Sequence, residues 1–402
     1  MTTPSSTLHT CPACGLLCDD IAASAISSQT LSCERAARFY ARPVPATPPQ
    51  VCGQAVSLTA AIDAAARLLQ QAHAPLIAGC STDVHGARAL VSLARHTQAT
   101  VTHLNAASTL RNMQVLQHRG WQTTTLTEVR NRCDVLLLVG TDVVSHNPRF
   151  FERVIWVDEA MFTAPQARQI IYIGPQHLNT HPGTAPDGRA PHHVVCEASA
   201  IPAVVSALRA LILDRPVTQL DVAGVPLETL QALAQTLKSA HYATLAWVAK
   251  DLHDAHADLT IETLCETVAA LNQQSRAMGL PLGGSDGDTS VNYAHTWLQG
   301  VIPQAPELAN HDALVWVNSF SPQQSPPAFD GPTLVLGPAD AVLSSPPAVF
   351  IPIATPGLDS AGQQFRVDGS VTLPLSAVTA SAQPTLSEIV ARLVSALEGV
   401  RA

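Results

Sequence analysis

The segment Asp134-Val135-Leu136-Leu137-Leu138-Val139-Gly140 places an unbroken apolar run between an aspartate and a glycine. It is too short for a helix. Its lack of alternation suits a strand covered on both faces, as in the interior of a parallel sheet. On the amino-terminal side the same rhythm repeats. Ser57–Ala72 has Leu58, Ile62, Ala65, Leu68 and Leu69 at helical spacing, with Ser57 or Thr59 able to cap its start. Pro75–Cys80 reads as a short buried strand, Val84–His96 as a helix, Thr100–Leu104 as a strand and Ala106–His118 as a helix. On the carboxyl side strands are expected at Arg153–Val157, Gln169–Ile173, His193–Cys196 and Thr244–Val248. Helices are expected at Ala198–Leu213, Pro226–Ser239 and Leu259–Arg276. Alternation at this spacing predicts an α/β fold of doubly wound, mostly parallel sheets.

Past residue 280 glycine and proline become frequent. Strands are expected at Ala313–Val317 and Thr333–Leu336, followed by β structure with turns. The expected organisation is a cysteine-bearing module at 1–50, ending in a proline-rich linker, then α/β domains at 51–215 and 216–345. A β-rich tail with a closing helix fills 346–402.

Net charge is −9 with no basic run, so nucleic acid is not an expected partner. No apolar run approaches the roughly 18 residues of a membrane span. The opening Met-Thr-Thr-Pro-Ser-Ser lacks a basic or apolar leader region, so export is not expected either. Charged residues make up only 13%. Such a surface fits a chain enclosed by partner subunits, or simply an alanine-rich composition. Nine cysteines without an export signal point to a reducing cytoplasm. Of these, Cys52, Cys80, Cys133, Cys196 and Cys265 stand singly, and packing is the expected role of each.

The other four are grouped. Cys11, Cys14, Cys18 and Cys33 follow the spacing C-x2-C-x3-C-x14-C, with Pro12 and Gly15 supplying turn chemistry inside the tight part. Four sulfurs so placed suit a [4Fe–4S] cluster or a tetrahedral structural zinc, and the spacing leaves both open.

The motif C-P-A-C-G-L-L-C-D-D-I, followed by a fourth cysteine, resembles the start of the B subunit of formylmethanofuran dehydrogenase, a molybdopterin oxidoreductase. The likeness continues in T-L-T-E-V-R-N-R-C-D-V-L-L-L-V-G-T-D and S-H-N-P-R-F, and returns in I-P-I-A-T-P-G-L-D-S-A-G-Q-Q-F-R-V-D-G. By this resemblance Cys11, Cys14, Cys18 and Cys33 would hold a [4Fe–4S] cluster. The cluster would feed a pterin-bound tungsten or molybdenum, itself ligated by a cysteine or selenocysteine next to a catalytic histidine. Here the matching stretch carries Ser108 and Thr109, with no cysteine between Cys80 and Cys133. Asp142 stands where a pterin pyrophosphate would be repelled.

The metallopterin is therefore expected to be absent, and no catalytic residue is assigned. The resemblance then implies the B-type subunit of the formyltransferase/hydrolase complex of methylotrophic bacteria. That complex contains a formyltransferase, a zinc hydrolase and a C-type subunit. It moves formyl from tetrahydromethanopterin to a methanofuran-type carrier and releases formate. The alternative is an active tungsten- or molybdenum-dependent dehydrogenase subunit. A weaker third reading has the chain help to hold the carrier's polyglutamyl tail, for which its acidic balance offers no obvious groove.

Other candidates read more simply. His177 and His181 fall in a loop, and His192 and His193 would point opposite ways on a strand. Asp251, His253, Asp254 and His256 could form a metal patch, but Asp254 or Asp258 as a helix cap explains them more simply. Ser285 matches G-x-S-x-G without the required strand and helix context, so Gly283–Asp288 reads as a loop. Arg366–Gly369 should close a hairpin.

Overall fold

The computed structural model describes residues 7–283 and 287–399. In chain order, β1 (Pro75–Ser81) and β2 (Thr100–Val101) precede β3 (Val135–Val139), β4 (Gln169–Gly174) and β5 (His192–Val195). Next come β6 (Ala243–Val248), β7 (Ala277–Leu282), β8 (Ala313–Asn318), β9 (Thr333–Pro338) and β10 (Val349–Ile353). The hairpin of β11 (Gly362–Phe365) and β12 (Thr372–Leu375) follows. Every residue of β1, β3, β6 and β8 is buried, as continuous apolar runs require.

The chain forms two compact units. Unit 1 is Met1–Ala107 with Ser285–Ala402, and unit 2 is Ser108–Gly284. This corrects the linear division at 51–215, 216–345 and 346–402. The reason lies in strand pairing. β6 joins β3 across more than a hundred residues, while β8 returns to pair with β1. Nor is 1–50 a separate module. Its Phe39 packs in one apolar cluster with Phe320 and Leu358. Arg42 clamps Asp340 through two nitrogens, at 3.0 and 2.7 Å, and donates to the Phe320 carbonyl.

In unit 1 the parallel strands run β10-β9-β8-β1-β2, with a short antiparallel pair, Gln50–Val51 and Gln54–Ala55, at the β10 edge. Helices Leu58–Gln71, Val84–Thr97 and Leu386–Gly399 contribute to its main core with Ile77, Val315, Leu336 and Ile351. In unit 2 the order is β7-β6-β3-β4-β5, all parallel. Helices Ile201–Ile212, Leu227–Ser239 and Ala257–Leu271 supply its core with Leu137, Ile171 and Leu245. In each sheet the winding reverses at one place, between β1 and β8 in unit 1 and between β3 and β6 in unit 2. The carboxyl ends of those strands form the crevice where open α/β sheets bind ligands.

Several local expectations need correction. Arg153–Val157 is not a strand: Phe151–Ile155 forms one π-helical turn, with Trp156 N donating to Phe151 O. The buried Arg168 guanidinium takes the carbonyls of Val154 and Ile155, which a neighbouring strand would otherwise need. Helix Ala257–Leu271 has no side-chain cap. Asp254 accepts instead from the His256 amide at 3.0 Å. Ser57, in contrast, caps its helix by accepting from Ala60 N. Strand β7 and helix Asp288–Gln299 occupy a region whose glycines and prolines masked them. Gly284, Ser285 and Asp286 lie outside the described residues, including the G-x-S-x-G serine. Cys52 does not pack; it is exposed at a turn with φ of 49°. Arg366–Gly369 does link the β11–β12 hairpin.

Candidate functional site

The cysteine loop hangs from a short antiparallel pair, Leu8–His9 with Ile21–Ala22. Between them the chain curls tightly: Cys11 N donates to Cys18 O at 2.9 Å, and Leu17 adopts a left-handed φ of 50°. Cys11, Cys14 and Cys18 are buried, and the half-buried Cys33 immediately precedes helix Glu34–Tyr40. Burial drives the Cys11 thiol far above its ordinary range. Charge on Cys14, Cys18 and Cys33 raises it further, so all four thiols lie within one another's field. The Tyr40 hydroxyl reaches the Thr10 carbonyl at 3.3 Å and also hydrogen-bonds Cys11, a contact that the cysteine spacing alone did not suggest. Sulfur donors in a shielded loop fit an iron–sulfur cluster or zinc chemically. Among the described residues, however, no three His, Cys, Asp or Glu side chains form a group able to hold a metal ion. The thiols are gathered but not closed on one point.

The unit 1 crevice is stitched by its own backbone. Ser319 N donates to Ser81 O at 2.6 Å, and Asn318 Oδ1 accepts from Phe320 N and Ser321 N. Asp83, 5% exposed, caps helix Val84–Thr97 through Gly86 N and also accepts from Gln363 N. A Cβ on Gly362 would meet Asp83 Oδ2 at 2.8 Å, so only glycine lets β11 approach this closely. In the same unit, His103 Nδ1 accepts from Asn105 N, which leaves Nε2–H to donate to Asn292 Oδ1 at 3.0 Å. Burial lowers the His103 pKa to about 4 and keeps the ring neutral.

The unit 2 crevice is held by side chains. His146 meets Asp251 at 2.8 Å, and Arg111 donates to the carbonyls of Ala249 and Leu252. Asp142 accepts from Ser145 N and thereby shapes the turn after β3. Asn147 is 1% exposed, and neither its Oδ1 nor its Nδ2 has a hydrogen-bond partner. His146 and Asp251 are 105 residues apart. The only sequence signal for their meeting is that each follows the carboxyl end of a strand. Among the described residues the acidic patch Asp251–His256 does not assemble as a metal group, and His193 Nε2 donates to Gly174 O in β4.

Ser108 and Thr109 lie in the first turn of helix Ala106–Arg119.

Two parallel sheets, each with one reversal of winding, define a doubly wound α/β fold. The acetylene hydratase of Pelobacter acetylenicus shares this fold, with a TM-score of 0.61 at 10% identity over 92% of this chain and 64% of that one. The formyltransferase/hydrolase complex FhcABCD of Methylorubrum extorquens, determined with methylofuran, contains a chain matching with a TM-score of 0.73 at 21% identity. That match covers 88% of this chain and 99% of the other. No protein-family model matches. In sequence, the B subunit of the tungsten-containing formylmethanofuran dehydrogenase 2 of Methanococcus maripaludis is 25% identical over 94% of this chain and 95% of its own length. The B subunit of the Fhc formyltransferase/hydrolase complex of Methylorubrum extorquens is 36% identical over a shorter stretch, 22% of this chain and 25% of that protein. The chain is thus similar, over nearly its whole length, to formylmethanofuran dehydrogenase B subunits.

Proposed function

We propose that this chain is the B-type subunit of a cytoplasmic formyltransferase/hydrolase complex and carries no metallopterin centre of its own. The observation behind the reading is that no cysteine lies between Cys80 and Cys133, and that Ser108 and Thr109 start helix Ala106–Arg119 where the resemblance implies a cysteine and a histidine. The flanking cysteines are no substitute. Cys80 and Cys133 are fully buried, and burial raises both thiols, Cys133 to about 11. His103 commits both ring nitrogens to Asn105 and Asn292.

In this reading the fold serves assembly. The formyltransferase, the zinc hydrolase and the C-type subunit would do the chemistry, moving formyl from tetrahydromethanopterin to a methanofuran-type carrier and then releasing formate. Cys11, Cys14, Cys18 and Cys33 would hold a [4Fe–4S] cluster or zinc that fixes the loop, a structural role consistent with the small core around Phe39.

Metal analysis of the anaerobically purified native complex tests this. About four irons or one zinc per chain, without tungsten or molybdenum, is the expected result. Tungsten or molybdenum near one per chain would overturn it and restore an active dehydrogenase subunit. Cys14→Ser is expected to release the bound metal and to make the region before the 42–49 linker the first site of proteolysis. Unchanged metal content would remove Cys14 from the ligand set.

A further inference from the structure

Unit 2 has a second concavity, away from its strand-end crevice, where the helices Ala106–Arg119, Ile201–Ile212 and Ala257–Leu271 come together. Its volume is about 630 Å³, within the range of small-molecule sites. Two of its arginines are neutralised. Arg119 pairs with Glu262 and, at 3.2 Å, with Glu266, while Arg209 reaches the other oxygen of Glu266 at 3.0 Å. Glu266 therefore holds both guanidinium groups in place, and the nearby helix carbonyl ends account for their presence.

What remains unexplained points to a ligand. Arg215, beyond the helix end, is exposed and makes no ion pair among the described residues. With three arginines against Glu262 and Glu266, the cavity carries one excess positive charge. Trp121, half-buried, lines the same cavity, its ring 6.5 Å from that of Trp247 and tilted 56° to it.

We propose that this cavity binds a small planar aromatic anion, its ring on Trp121 and its carboxylate or phosphate on the Arg215 guanidinium. Charge-assisted hydrogen bonds to guanidinium supply the anion's share, and ring stacking supplies the rest. The site is independent of the assembly role proposed above.

Calorimetric titration of the whole chain with benzoate, indole-3-acetate and AMP tests it, against benzamide, indole-3-acetamide and adenosine as neutral partners. At least one anion should bind, roughly tenfold or more tightly than its neutral counterpart, a difference of about 1.4 kcal/mol. Arg215→Ala should weaken that anion by about the same factor, and Arg215→Glu should abolish binding. Both variants should keep the parent melting temperature, because Arg215 is exposed and unpaired. Absence of binding by all three anions would overturn the proposal, as would equal binding of the neutral compounds or unchanged affinity in Arg215→Glu.

Discussion

The two strand-end crevices share a topology but not a construction. In unit 1 the reversal between β1 and β8 is closed by backbone bonds, Ser319 N to Ser81 O and the Asn318-centred turn, with the buried Asp83 tying helix to hairpin. In unit 2 the reversal between β3 and β6 is held by the His146–Asp251 pair and Arg111, with an unpartnered Asn147 close by in sequence. One winding rule fixes where a crevice lies. It does not fix whether backbone or side chains finish it, and the cost of breaking each should differ accordingly.

The largest effect is expected from Asp83→Ala. It removes a charged acceptor from two backbone amides in a 5% exposed position, the helix cap at Gly86 and the β11 contact at Gln363. Two charge-assisted bonds, less the relief of a buried charge, amount to about 4 kcal/mol. Equilibrium urea unfolding would show a large fall in midpoint. A change under about 1 kcal/mol would mean that the backbone bonds alone close unit 1.

Next is acid. His103 is held neutral with its pKa lowered to about 4, while an unfolded imidazole titrates near 6.5. Between those values the unfolded chain binds a proton that the folded chain refuses. Stability from this residue is thus complete above about pH 6.5 and falls as pH drops towards 4, by on the order of 3 kcal/mol. Urea midpoints across that window in the parent and in His103→Asn measure it. The parent should lose more stability than the variant on acidification, and parallel profiles would refute the buried neutral imidazole.

These residues also show what the sequence could tell. The strands around Asp134–Gly140, the helix periods and the Ser57 cap were legible because each depends on neighbours within a few residues. The two-unit division was not, since it depends on β6 crossing back to β3 and β8 to β1. Phe151–Ile155 misled because its apolar β-branched residues suit any buried position, and a distant arginine, Arg168, decides where its carbonyls go. The cysteine spacing located the candidate metal loop, but not the Tyr40 hydroxyl beside Cys11, which arrives from the following helix.

A smaller effect is expected in unit 2 from Asp251→Asn. His146 and Asp251 are 14% and 22% exposed at the side chain, so solvent screens part of their attraction. The amide keeps an oxygen for the imidazole, and the loss should be about 1 kcal/mol in the same urea assay. A loss matching that of Asp83→Ala would erase the contrast between the crevices.

Asn147→Leu sharpens the contrast most finely, because its sign carries the information. Removing one partner of a hydrogen bond normally destabilises, but Asn147 has no side-chain partner to lose. Its backbone bonds, Asn147 N to Val143 O and Phe150 N to Asn147 O, survive the substitution. Leucine has the same number and branching of side-chain heavy atoms and removes two buried polar atoms that folding strips of water. The isolated chain should therefore be unchanged or gain up to about 1 kcal/mol. If the variant is instead destabilised by more than that, the amide is satisfied in solution by ordered water, and unit 2, like unit 1, completes its crevice with a full set of polar contacts.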